Sequence, residues 1–216
     1  MLKDLHTLTP YLDFIRTCNA DPDYRDPMLL TQQQLHRNLL DAPENPNTRV
    51  FGTFEGEAIT GVFALLVLED ERYLELLAGL SRSAAAYAEL LSHLKSAHPG
   101  YQADFVYNPR NRLLQEALAA LGAEFEPEQQ KLVLCRAVPY VPDARIVPYR
   151  PEYRAQYLAL HTVDRYWTGE KVLAAPEVFR VLLALEAGEV SGYIDLTHNS
   201  TENEPYDLFV REKSRR

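Results

Sequence analysis

Cysteine occurs twice in these 216 residues, at Cys18 and Cys135, with no CxxC pair and no histidine spaced to join either one. That excludes a disulfide framework and a thiolate metal centre, and makes two buried free thiols the expectation. Basic residues are outnumbered, 22 against 31 acidic, for a net charge of -9, and the one basic cluster runs from Arg211 to Arg216. Phosphate binding rests on concentrated Lys and Arg, so this balance argues against nucleic acid and suits a small or cationic substrate better. Apolar runs are short. The longest, Ala58 to Leu68, is broken by Thr60 and falls well below the ~20 residues of a membrane helix. The N-terminal MLKDLHTLTP has no apolar signal core either, and a cytoplasmic protein with no membrane partner is expected. Glycine is sparse: nine residues, with no Gly-x-Gly among them. The chain therefore lacks the loop type in which glycines let backbone N–H groups close around a diphosphate.

What is present is a repeat. Arg49 to Leu65 (RVFGTFEGEAITGVFAL) overlays Arg180 to Leu196 (RVLLALEAGEVSGYIDL) without a gap, keeping an apolar residue wherever a buried strand needs one. Each copy reads as a β-hairpin, turning at Glu55-Gly56-Glu57 and at Glu186-Ala187-Gly188-Glu189, with Gly61 and Gly192 letting the return strand pass close to a neighbour. A duplicated domain follows, in a chain whose 46% hydrophobic content supplies a core.

Around the hairpins the element signals alternate. Thr9-Pro10 opens an amphipathic helix through Cys18, an Asp- and Pro-rich loop covers Asn19 to Pro27, and Thr31 caps a second helix. Arg72 to Leu80 reads as a strand, Ser83 to about His98 as a helix, Tyr101 to Tyr107 as a strand, Arg110 to Leu121 as a helix ended by Gly122, and Gln130 to Cys135 as a strand. The proline-dense stretch Ala137 to Pro151 reads as a linker containing an extended run, Arg145 to Val147. Beyond it Glu152 to Tyr166 is helical, Pro176 starts another helix, and Tyr206 to Val210 is a strand after the second hairpin. The expected fold class is α/β, a mixed sheet flanked by helices, in tandem units. Residues 1–136 form the first unit, 137–150 the linker and first strand of the second, and 151–216 the N-terminal part of that second unit.

This order, with Asn111 eleven positions before Gly122 in NRLLQEALAALGAEF, resembles the GNAT superfamily of acyl-CoA N-acyltransferases. The resemblance covers nearly all of residues 1–136 by element order. It implies acetyl-CoA as cosubstrate, its diphosphate held by an Arg/Gln-x-x-Gly-x-Gly/Ala loop after the fourth strand, and acetyl transfer to an amine. The first unit departs from that pattern. Its nearest register is Arg82-Ser83-Ala84-Ala85-Ala86-Tyr87, Phe125 is displaced by two positions, and Leu118 stands where many members carry an acidic tyrosine. A noncatalytic copy is expected there. A weaker alternative has Arg82 binding acyl-CoA in an altered mode.

In the second unit Tyr206 to Val210 resembles the family's fourth strand, whose splayed backbone pairs with pantetheine, and Arg215 falls at the first residue of the expected loop. The resemblance implies Phe209, Val210, Arg211 and Arg215 as cofactor-binding residues. Backbone N–H groups of Phe209 to Arg211 would polarise the thioester carbonyl, and Glu204, eleven positions before Arg215, would be the catalytic base. A complete unit would run about 60 to 80 residues further, so a second unit cut short at its cofactor loop, without a complete active site, is expected. The plainer reading makes Glu202, Glu204 and Asp207 a solvated acidic segment and Arg215 and Arg216 a frayed tail. The alternative function is a noncatalytic binding or assembly module whose exposed sheet edge pairs with another copy of the chain. No metal site is expected. His93 and His98 are five apart, a poor spacing for a shared ion, and His161 and His198 read as surface or packing histidines. Tyr157, Tyr166 and Trp167 read equally as the floor of an acceptor pocket or as helix packing.

Overall fold

In the computed structural model, which describes residues 1–128, 139, 141–161, 166–198 and 203–215, both repeated segments fold as hairpins. β2 (Thr48–Glu55) pairs with β3 (Ala58–Leu68), and β7 (Phe179–Glu186) with β8 (Glu189–Thr197). Both loops are two residues long, yet their backbones differ. The first has a positive φ at its first central residue, Gly56 (62°), as a type II′ turn does. The second has positive φ at both Ala187 (52°) and Gly188 (84°), the type I′ pattern.

The hairpins sit in two sheets. The first has the order β1-β2-β3-β4-β5, with β1 (Leu2–Asp4) antiparallel to β2, β4 (Tyr73–Ser81) antiparallel to β3 and β5 (Gln102–Phe105) parallel to β4. The second is antiparallel throughout, β6-β7-β8-β9, with β6 (Ile146–Pro148) and β9 (Pro205–Val210) at its edges. The duplication extends past the matched residues. Register shifts fall between Thr53 and Phe54 and between Ala64 and Leu65 in the first sheet, and between Ala184 and Leu185 and between Asp195 and Leu196 in the second. All are related by the 131-position offset that carries Arg49 onto Arg180. A bulge skips Leu77 in β4 and Tyr206 in β9, so Gly79 corresponds to Leu208 and Ser81 to Val210.

The chain divides into two compact units, Met1–Lys131 and Leu132–Arg216. In the first, helices cover both faces of the sheet, as the near-continuous apolar runs of β2 and β3 require. Phe51, Phe63, Leu65 and Leu76 pack under α3 (Ala84–Ala97) and α4 (Arg112–Ala120), while their neighbours Val50, Val62, Ala64 and Leu80 point the other way, toward α1 (Leu12–Ala20) and Leu39. Each helix starts where its cap places it. Thr31 and Gln34 form a capping box ahead of α2 (Gln32–Leu35), Ser83 caps α3 and Asn111 caps α4. In the second unit Tyr157 and Leu160 pack on Leu183, Val190 and Tyr193.

Some elements differ from the expectation. The helix expected over Glu152 to Tyr166 is a 3-10 turn, Pro151–Tyr153, followed by the short α5 (Arg154–Leu158). Pro176 starts no helix: α6 (Gly169–Ala174) begins at Thr168, whose hydroxyl accepts the Lys171 N–H, and the proline follows its end. β1 carries too few residues to show a period. The strand expected at Gln130 to Cys135, with Cys135 itself, and also Thr162, Glu202 and Arg216, lie outside the described residues.

Candidate functional site

The outer edge of the fourth strand is where the resemblance places acyl-CoA, and the two units treat that edge differently. In the first, β4 and β5 pair from Tyr73 and Gln102 to Leu76 and Phe105; past the bulge, the rest of β4 has no strand on that side among the described residues. The chain fills this gap itself. Gly79 N–H donates to Asp26 Oδ2 at 2.7 Å, and Met28 N–H donates to Asp26 Oδ1 at 2.7 Å. Tyr87 OH donates to Ser81 O at 3.0 Å and accepts from Asn111 Nδ2 at 2.8 Å. Asn108 Nδ2 donates to Pro22 O at 2.8 Å, tying the loop after β5 to the segment that carries Asp26. Asp26 is 4% exposed and Tyr87 0%. Burial pushes the Asp26 carboxyl up to about 7, outweighing the two backbone N–H bonds that pull it down, and burial also raises the Tyr87 hydroxyl.

The segment in the position of a diphosphate loop is committed as well. Ser83 Oγ accepts the Ala86 N–H as an ordinary cap. Arg82 meets Asp21 Oδ2 at 3.0 Å and Thr17 O at 2.9 Å, with its guanidinium over the Tyr24 ring. Cys18 lies buried nearby, and burial lifts its thiol to about 11, so it stays protonated near neutrality.

In the second unit β9 is an edge strand among the described residues. Arg211 N–H donates to Ser191 O at 2.9 Å, so by the alternation of the ladder Phe209 and Arg211 direct their amides at β8 while Leu208 and Val210 direct theirs outward. Here too the edge is capped, by residues a few positions away in the chain. Leu208 N–H donates to Asp207 Oδ1 at 2.9 Å, and Arg215 Nε donates to Val210 O at 2.8 Å; both contacts are exposed.

The structure gathers Phe209, Val210, Arg211 and Arg215 at the C-terminal end of β9. Phe209 stacks on Tyr193 at 6.1 Å, and the Arg215 guanidinium lies 5.9 Å from the Phe209 ring centre. Of the amides from Phe209 to Arg211, only that of Val210 faces outward. Glu204 stands at the strand's other end, bonded through its backbone to Thr197, about 13 Å from Leu208 at the usual rise per residue. Gly192 opposes Val210, and a Cβ there would meet Phe209 O at 2.6 Å, which is the close approach the sequence signalled.

One cluster escaped the sequence reading. His161 is not a surface histidine: its side chain is 8% exposed, stacked on Tyr193 at 4.2 Å and edge-on to Tyr157 at 4.6 Å. Its Nε2 lies 3.3 Å from Asp195 Oδ2 and has no hydrogen-bond partner among the described residues. Asp195 is 0% exposed, and both its oxygens accept from Tyr157 OH, at 3.0 and 3.1 Å. Asp207, directly opposite Asp195, accepts from Tyr193 OH at 2.8 Å. The repeat held a signal for this cluster, since Asp195 interrupts an apolar strand at the position Ala64 fills in the first copy. The other aromatic and histidine readings resolve to packing. Tyr157 is in the core, Trp167 packs against Tyr166 and Phe179, His93 against Phe51, and His198 Nε2 lies 3.0 Å from Pro176 O.

No family model and no curated protein matches the sequence. Among solved structures, the chain is similar to TTHA1254 of Thermus thermophilus over 44% of its length and 76% of that protein's, at 20% identity and a TM-score of 0.34 for the wild type and 21% and 0.33 for a point mutant. It is also similar to a tandem GNAT protein from the clavulanic acid biosynthesis pathway, solved without AcCoA, over 100% of this chain and 80% of that one, at 13% identity and a TM-score of 0.47.

Proposed function

We propose that the protein is a tandem acyl-CoA N-acetyltransferase in which the second unit takes acetyl-CoA along β9 and passes the acetyl group to a primary amine, while the first unit is noncatalytic. The observation that carries this reading is the difference between the caps on two equivalent strand edges. Asp26 and Tyr87 are buried and come from distant parts of their unit, so clearing them would disrupt a core. The Asp207–Leu208 and Arg215–Val210 contacts are exposed, and each is released for the loss of one hydrogen bond, about 1 kcal/mol, while Asp207 stays held by Tyr193 OH.

With those caps released, the outward amides of Leu208 and Val210 would polarise the thioester carbonyl, the backbone of Phe209 to Arg211 would follow the pantetheine arm, and Arg215 would reach the phosphates. The amine nitrogen attacks the carbonyl carbon, the C–S bond breaks, and coenzyme A leaves as its thiol. The surplus proton of the ammonium would pass to Glu204 along a chain of several waters, since about 13 Å separates it from Leu208.

Isothermal titration of the protein with acetyl-CoA tests the assignment. One site per chain is expected, unchanged by Arg82→Ala and weakened by Arg215→Ala; no heat at millimolar ligand contradicts it. A second reading, a noncatalytic module that pairs with another copy, is favoured by the same edge, where Leu208 is 63% exposed on a strand with no outer neighbour among the described residues.

A further inference from the structure

We infer a divalent transition-metal site in the second unit, formed by His161 Nε2 and the carboxylates of Asp195 and Asp207. One donor atom from each lies within 4.8 Å of the others, and the His161–Asp195 pair is already at 3.3 Å. Metal bonds of about 2.0–2.2 Å place neighbouring ligand atoms roughly 3.3 Å apart on a tetrahedron, so the His161–Asp195 side already fits and Asp207 would have to close by no more than about 1.5 Å.

Each member has a reason to be there with an ion and a difficulty without one. The buried His161 Nε2 has no hydrogen-bond partner among the described residues, a costly arrangement that native proteins seldom keep. Asp195 is a fully buried carboxylate, a charge that calls for an opposite one beside it. Asp195 and Asp207 are also directly opposed on adjacent strands, where two like charges repel. The corresponding pair in the first copy is Ala64 opposite Ala78, so both acids arise at the same cross-strand position and only in the second unit.

The surroundings fit as well. Tyr157 OH holds Asp195 and Tyr193 OH holds Asp207, the kind of outer hydrogen bonds that orient ligating carboxylates. One imidazole with two carboxylates and no thiolate suits Zn²⁺ or Mn²⁺ better than Ca²⁺ or Mg²⁺, which prefer all-oxygen shells. The ion would join the residue after α5 to β8 and to the edge strand β9, pinning that edge to the body of its unit.

The test is a titration of chelator-treated full-length protein with Zn²⁺ and Mn²⁺, read by calorimetry and by the melting temperature. One ion per chain and a raised melting temperature are expected. Asp195→Asn and Asp207→Asn should each weaken binding at least tenfold, and Tyr157→Phe, which removes only an outer hydrogen bond, by about 10- to 100-fold. Asp207 is half-buried, so its variant keeps the test readable if Asp195→Asn does not fold. Absence of binding, or equal affinity in wild type and Asp207→Asn, overturns the site.

Discussion

A carboxyl group as buried as that of Asp26 favours its protonated form in the folded protein, and this gives the first unit a pH dependence of definite sign. Its folded value of about 7 lies above the ordinary 3.8, so between those limits the native state binds more protons than the unfolded chain. Stability from this group is fully present below about pH 4 and is lost as pH rises through 7, a change on the order of 4 kcal/mol. Asp26→Asn cannot titrate. Urea unfolding at about pH 5 and about pH 8 should show a larger fall in stability for the wild type than for the variant; equal falls would mean that Asp26 is ionised throughout. Residue identity was legible where one position decides the matter, as with Gly192 and the cap Thr31. It was not legible where function depends on meetings across the sequence, such as Asp26 with Gly79 or His161 with Asp195, because no local period encodes them.

The second hairpin and β9 depend on the missing side chain at Gly192. A methyl group there would press on the Phe209 carbonyl, which is backbone and cannot rotate away. Gly192→Ala should therefore destabilise the second unit by about 1–3 kcal/mol, measurable as a shift of the denaturation midpoint, and should loosen β9. An unchanged midpoint would show that the strands can part without cost. At this scale the sequence was a good guide to elements with a cap or a turn of their own: Thr31, Ser83 and both hairpin turns mark real boundaries. It misled at Pro176, because the true cap, Thr168, sits among aromatics with no helical period to announce it. The early end of α5 went unmarked for a similar reason, since Leu158 to Leu160 continues the apolar pattern while the backbone leaves the helix.

The whole chain is one supersecondary plan used twice, down to the placement of its bulges, with different chemistry laid over it. In the first copy a small-residue pair, Ala64 and Ala78, lies in the sheet and the edge is sealed by buried side chains; in the second the same pair is acidic and the edge is held by exposed contacts. The proposed acyl-CoA site draws its support from that asymmetry, and hydrogen–deuterium exchange of the protein with and without acetyl-CoA reads it directly. Ligand-dependent protection is expected over Pro205 to Arg211 and not over Tyr73 to Tyr87. Protection of the first unit's strand and helix start, or none in either segment, would contradict the account.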